Sequence, residues 1–282
     1  MKILDGKESS LEIIENIKEQ VKEAVSSGKR YPTLHIFLVG NDFASTKYVE
    51  MKCKKGEELG IDCKLHKSAE DTTTEELVNE IERLNRAPNV DGIMVQLPLP
   101  QGINEKLVLE SISPKKDVDG LTSVNLGKLF KNDSEAIPPA TPKGIVALLH
   151  KYNIEIDGKE AVVIGRSDIV GLPVAAMLQN ENATVTICHS HTQNLKEVTR
   201  KADILVVGIG KAEYITSDFV KEGCTVIDVG ANRSKEGKMV GDVNFDSVKE
   251  NTEYITPVPG GVGPMTIASL FANLIEIYMK NV

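Results

Sequence analysis

The chain has no tryptophan, and its six phenylalanines and six tyrosines bring the aromatic share to only 4%. Proteins that stack single-stranded nucleic acid need aromatic platforms, so this composition argues against that role. Basic residues are outnumbered as well: 33 Lys and Arg stand against 41 Asp and Glu, for a formal net charge of −8. Such a surplus opposes loose binding to phosphate backbones or anionic membranes, and neither is expected as a partner. A small anionic ligand is not excluded, because local lysines and helix N-termini matter more to it than the global sum. The four cysteines, at 53, 63, 188 and 224, include no C-x-x-C pair. That spacing supports neither a zinc site nor a dense disulfide framework, so no metal is expected and reduced thiols are the simplest reading. No apolar run approaches the roughly 20 residues of a bilayer span. Met1-Lys2-Ile3-Leu4-Asp5 turns polar too soon for a signal peptide. The expectation is a soluble, cytoplasmic protein.

What is present is alternation. With 282 residues, 41% hydrophobic and 26% charged, the chain can build two ordinary packed cores. Ser9 and Glu12 have capping-box spacing before Leu11, Ile14, Ile17, Val21 and Ala24 at helical intervals. Thr33 to Val39 reads as a buried strand, Ser45 to Leu59 as a helix closed by Gly60, and Cys63 to His66 as a short strand. Thr73 and Glu76 form a second capping-box pattern before Leu77, Ile81 and Leu84. Gly92 to Val95 is the next strand. From Ser113 to Pro142 prolines and glycines punctuate a mostly irregular passage, at whose end Thr141-Pro142 reads as an N-cap and N1 proline. Strands then recur at 161–164, 184–188, 204–207, 225–229 and near 254–256. Helices start at Gly171, Leu195, Ser217 and Phe245, and an amphipathic helix follows Pro264. Such alternation predicts α/β architecture with parallel sheets. The expected division is residues 1–140 plus 265–282 as one domain and 141–264 as the other.

The segment Ala161-Val162-Val163-Ile164-Gly165-Arg166-Ser167-Asp168-Ile169-Val170-Gly171 has strand, turn and helix context for a dinucleotide. There, backbone N–H groups and the helix dipole receive a pyrophosphate. It departs from G-x-G-x-x-G, since Arg166-Ser167 occupy the middle-glycine region, and an ordinary strand–helix turn is the bland alternative. About 20 residues on, NAD-selective sites carry an acid for the ribose 2′-hydroxyl. Here Cys188-His189-Ser190-His191-Thr192 offers hydroxyls and imidazoles, and Arg166 can supply a fork to a 2′-phosphate. NADP is therefore the expected cofactor.

Tyr48 and Lys52 are four apart on the second helix and share a face. A lysine in a partly dry pocket can lose its proton near neutral pH and transfer protons. Taken alone, the pair reads more readily as an exposed helix with a packed tyrosine. Gln96 and Leu97 leave the carboxyl end of a strand, where open α/β sheets place ligands, and Gln96 offers both donor and acceptor. Pro114-Lys115-Lys116-Asp117-Val118-Asp119-Gly120 supplies two carboxylates, which by themselves fit a turn motif better than catalysis. In Pro257-Val258-Pro259-Gly260-Gly261-Val262-Gly263-Pro264-Met265-Thr266, glycines allow close backbone approach to a ligand and prolines stiffen the loop. Thr266 fits capping better than chemistry.

In this order, the stretches 44–60, 114–127, 165–173 and 257–266 resemble the bifunctional methylenetetrahydrofolate dehydrogenase/methenyltetrahydrofolate cyclohydrolase family. The ending Pro-Gly-Gly-Val-Gly-Pro-Met-Thr is the most specific. The resemblance implies an N-terminal α/β catalytic domain completed by the C-terminal helix, a Rossmann-like NADP-binding domain, a cleft between them, and a homodimer. It makes Lys52 the proton-handling residue, with Tyr48, Gln96 and Asp119 completing the catalytic set. Tyr48 orients the folate, Gln96 hydrogen-bonds Lys52 and Asp119 anchors the pterin. Leu97, Pro259, Gly260 and Gly261 join the substrate set. Gly165, Arg166, Ser167, Ser190 and Ala231 match cofactor contacts; position 231, commonly isoleucine in the family, is alanine here. The implied activity belongs to one-carbon metabolism and purine biosynthesis: NADP-dependent oxidation of 5,10-methylenetetrahydrofolate, then hydrolysis of the methenyl product to 10-formyltetrahydrofolate. The alternatives are a dehydrogenase with weak or absent cyclohydrolase activity, a non-catalytic NADP-binding subunit, and an unrelated NADP enzyme.

Overall fold

Among the described residues, apolar strands separated by amphipathic helices assemble into two parallel sheets and one small antiparallel ribbon. The computed structural model describes residues 1–234 and 236–282. The first half runs β1 (Lys2–Ile3), α1 (Gly6–Ser26), β2 (Thr33–Val39), α2 (Phe43–Glu58), β3 (Asp62–Ser68), α3 (Thr74–Asn85) and β4 (Gly92–Val95). There follow α4 (Glu105–Glu110), α5 (Ser123–Phe130), α6 (Ala140–Lys151), β5 (Glu160–Ile164), α7 (Gly171–Asn180), β6 (Thr184–Cys188), α8 (Leu195–Thr199) and β7 (Ile204–Val207). The chain ends with β8 (Cys224–Asp228), β9 (Asn232–Arg233), β10 (Met239–Val240), α9 (Phe245–Val248), β11 (Thr252–Ile255) and α10 (Val262–Asn281).

Contacts divide the chain into two units. One comprises Glu12–Lys128, Ser134–Ala140 and Leu270–Val282. Its sheet has the order β3-β2-β4, all parallel, with β2 buried at the centre. Side chains alternate across a strand. On one face Phe37, Val39, Ile93 and Val95 meet Leu77, Ile81 and Leu84 of α3 in a single core. The helix begins where expected: Thr73 and Glu76 cap each other reciprocally. In α2 the cap is Asp42, whose carboxylate accepts from the Ser45 N–H at 2.7 Å.

The other unit comprises Met1–Leu11, Leu129–Asp133 and Thr141–Ser269. Its six-stranded parallel sheet has the order β1-β11-β8-β7-β5-β6. From β5 the chain adds β6 on one side and then crosses to add β7 on the other, so a topological switch point lies between β5 and β7. Crevices at the carboxyl ends of strands beside such a point are where open α/β sheets bind ligands. The core beneath is built from Val162, Ile164, Leu205, Val207, Val226 and their apolar neighbours.

Several expectations need correction. At the chain start a strand not expected from the sequence, β1, pairs with β11 through Lys2–Tyr254 and Ile3–Ile255. Two-residue strands carry too little periodicity to be read. Helix α1 starts four residues earlier than a Ser9 cap would place it. Asp5 is the cap, accepting from the Glu8 N–H at 2.9 Å, while the Ser9 hydroxyl bonds back to the Asp5 carbonyl. The passage 113–142 is less irregular than its prolines indicate, since it contains α5. The signals at Ser217 and Phe245 produce only a 3-10 turn and a single helical turn. Finally, α10 is long and apolar enough to span a bilayer by length and composition alone, although 61% of its apolar window is buried inside the protein.

Candidate active site

In the smaller unit the functional side chains come from α2, the end of β4 and the loop before α5. Met94 and Gln96 are two apart and therefore on the same side of the strand. Both meet Lys52: its ammonium donates to Gln96 Oε1 at 3.1 Å and lies 3.8 Å from Met94 Sδ. The Gln96 amide nitrogen donates to the Leu97 carbonyl at 2.8 Å, which turns its oxygen toward the lysine. Burial pushes the Lys52 pKa down, opposed chiefly by the Asp119 carboxylate. Burial likewise raises Asp119, opposed by Lys52 and reinforced by Asp117. Desolvation thus drives both groups toward neutrality while their attraction favours the ion pair. Tyr48 lies one turn before Lys52 and is 40% exposed.

Asp119 sits in a turn that needs its glycine. Gly120 has φ +68, and a Cβ there would lie 2.4 Å from the Ile137 carbonyl oxygen. The two acids have different jobs. Asp117 is buried, with its carboxylate accepting from the N–H groups of Leu121 and Thr122 and from the Asn125 amide. Asp119 remains partly exposed.

In the larger unit the Gly165 turn lies at the switch point. Gly165 has φ +129, and a Cβ would meet the Gly208 carbonyl oxygen at 2.4 Å; at Gly171 it would meet the Gly165 carbonyl oxygen at 2.4 Å. Two glycines six apart therefore serve the tight turn and the close packing of helix on strand, and the departure from G-x-G-x-x-G leaves both roles intact. This Cβ-free cradle opening into α7 fits a pyrophosphate. Arg166 and Ser190 are exposed just beyond the paired ends of β5 and β6, where the Gly165 N–H donates to the Cys188 carbonyl. Ser167 closes the turn, its hydroxyl accepting from the Val170 N–H at 3.2 Å. Ala231 is exposed beyond β8.

Pro259 is exposed, and Gly260 and Gly261 form a tight loop before α10. The Gly260 carbonyl accepts from the Lys7 N–H, and a Cβ on Gly261 would lie 2.6 Å from the Pro257 carbonyl oxygen. Thr266 does not cap α10; it lies inside the helix, bonding to the Val262 carbonyl and paired with Thr141.

Sequence reasoning missed Asp228 and Asp242. Asp242 is fully buried and accepts from the successive N–H groups of Ile209, Gly210 and Lys211 and from the Asn232 amide. It thereby shapes the loop after β7, whose Gly208 contacts Gly165. Asp228 accepts from the N–H groups of Gly230, Asp242 and Val243. Glycines beside each acid, in Asp228-Val229-Gly230 and Gly241-Asp242, were the available signal: a Cβ at Gly241 would strike the Asp228 carboxylate.

Glycine turn and switch point define the class, an α/β protein with a dinucleotide-type sheet, and the smaller unit adds the Lys52–Gln96 contact. The family model described as tetrahydrofolate dehydrogenase/cyclohydrolase, catalytic domain, matches residues 4–119; the one described as its NAD(P)-binding domain matches 139–282. The chain is 51% identical to the bifunctional protein FolD of Wolinella succinogenes over 98% of its own length and 96% of that protein. It superposes with TM-score 0.98 on the bifunctional FolD methylenetetrahydrofolate dehydrogenase/cyclohydrolase of Campylobacter jejuni, at 46% identity and full coverage of both chains. The Trypanosoma brucei FolD, solved with NADP cofactor and an inhibitor, matches with TM-score 0.93 at 36% identity over 99% of this chain and 97% of that one. This chain belongs to the tetrahydrofolate dehydrogenase/cyclohydrolase family.

Proposed function

We propose that this chain oxidises 5,10-methylenetetrahydrofolate with NADP⁺ and hydrolyses the 5,10-methenyl product to 10-formyltetrahydrofolate. The observation that carries the proposal is the desolvated Lys52 bonded to Gln96, with Asp119 in electrostatic reach, in a chain matched by both family domains. Bound NADP⁺ supplies the hydride acceptor. The Gly165–Gly171 turn would hold its pyrophosphate, Ser167 and Ala231 would contact it nearby, and Arg166 with Ser190 would take the 2′-phosphate. For oxidation this chain's task is alignment of the two rings, which needs no protein acid or base.

Hydrolysis makes the larger demand on side chains. Water adds to the methenyl carbon, and neutral Lys52 accepts a proton from it. The C–N5 bond then breaks, N5 takes up a proton, and one proton is released overall. Gln96 holds the amine in place. Asp119 accepts from the pterin ring N–H groups, and Tyr48 packs on the ring. Leu97, Pro259, Gly260 and Gly261 complete the folate contacts. By the same family likeness the chain is a cytoplasmic homodimer, which light scattering on the purified protein tests.

The function is tested by a coupled assay with 5,10-methylenetetrahydrofolate, following NADPH and methenylfolate together. Faster turnover with NADP⁺ than NAD⁺ and little methenyl accumulation are expected. Accumulation of methenylfolate would make the chain a dehydrogenase alone, and no turnover despite NADP⁺ binding would make it a non-catalytic subunit.

A further inference from the structure

We infer that Asn273 of α10 is a positioning residue for the folate anchor, acting together with Asp117 to fix where Asp119 presents its carboxyl. The inference rests on the reading of Asp119 as that anchor. Asn273 is fully buried among apolar neighbours on the same helix, including Leu270, Phe271 and Leu274. An amide in such surroundings is costly unless its hydrogen bonds are satisfied. Its Nδ2 donates to the Val118 carbonyl at 2.9 Å and to the Pro138 carbonyl at 2.9 Å.

Those two carbonyls belong to the two segments that meet at the Asp119-Gly120 turn. The Val118 carbonyl lies in the same rigid peptide plane as the Asp119 N–H and Cα, so fixing its oxygen fixes the root of the Asp119 side chain. Pro138 belongs to the segment lying over Gly120, where a Cβ would come within 2.7 Å of Pro138 C. One amide therefore sets the gap through which the turn passes. A side chain of similar size with one donor, or none, cannot hold both segments. Asp117 clamps the other end. Through Leu121, Thr122 and Asn125 it closes the turn on its C-terminal side, and Asn125 ties back to the Pro114 carbonyl. Asp119 is the less buried acid of the pair.

The test is a double-mutant cycle with Asn273→Leu and Asp119→Ala, reading KM and Kd for 5,10-methylenetetrahydrofolate, Kd for NADP⁺ and the melting temperature. Asn273→Leu is expected to raise folate KM and Kd about 10- to 100-fold, the scale on which small misplacements act, with NADP⁺ affinity unchanged. In the Asp119→Ala background it should add little, since both changes remove one anchor. Full additivity, or a melting temperature that falls while folate affinity holds, would assign Asn273 to core packing and overturn the inference. If Asp119→Ala alone left folate affinity intact, the anchor reading would fail first and take this inference with it. Asn273→Ser, which keeps one donor, carries the same cycle if the leucine variant does not fold.

Discussion

At the scale of single residues, function turns on what burial does to titratable groups. Lys52 is shifted below the usual lysine value of 10.5 by desolvation, with Asp119 resisting. Hydrolysis of methenylfolate should therefore rise with pH as the amine loses its proton, at lower pH than an ordinary lysine would allow. Lys52→Met should remove that limb and slow hydrolysis by roughly 10²- to 10⁴-fold, the range for a general acid–base group, while hydride transfer persists and methenylfolate accumulates. Equal loss of both activities in a folded variant would contradict this division. Asp228 makes a different prediction. Burial lifts its carboxyl from 3.8 to about 6, although three backbone N–H donors pull the other way. A raised acid binds its proton more tightly folded than unfolded, so its stabilising contribution is present below about pH 4 and is lost as pH rises through 6. The span corresponds to about 3 kcal/mol. The gap in urea midpoint between wild type and Asp228→Asn should narrow by this amount from pH 4 to 7, since the other carboxyls act on both. Asp228→Asn should be less stable throughout, because its amide N–H would face a backbone donor. Parallel pH curves would refute the assignment.

At the scale of elements, sequence signals succeeded where a local rule acts and failed where partners are remote. The Thr73–Glu76 box, the β2 strand and the β5–Gly165–α7 unit follow from period, capping and glycine within a dozen residues. Asp228 and Asp242 had only the flanking glycines to mark them, because their partners are mostly backbone N–H groups, some of them about 30 residues away. The Lys52–Gln96 contact spans 44 residues and was reached only through resemblance to a family. Helix α5 was hidden by the prolines and glycines around it. The glycine cradle itself is testable. In Gly171→Ala the new methyl would stand 2.4 Å from one backbone oxygen and 2.7 Å from the Arg166 nitrogen, neither of which can swing aside as a side chain tip can. A loss of about 1–3 kcal/mol of stability is expected from such overpacking. NADPH affinity, read by fluorescence titration, should fall at least tenfold; unchanged affinity would remove the turn from the cofactor site.

At the scale of the whole molecule, the proposed function divides the labour between the two sheets: one would present the proton-transfer group, the other the dinucleotide cradle. A ligand that binds only the folded cradle stabilises it by mass action, by about 2.7 kcal/mol at a hundred times its Kd. NADP⁺ should raise the melting temperature, and NAD⁺ at equal concentration should raise it less; Arg166→Ala should narrow that difference. Identical shifts with both nucleotides in the wild type would place the 2′-phosphate contact elsewhere. The Asp242 carboxylate carries one more implication. Three consecutive amides on a glycine loop make the kind of nest that captures phosphate groups from solution. Here the chain has seated its own anion there, so that loop behaves as a filled socket, and competing pyrophosphate or free phosphate should be drawn to the Gly165 turn instead.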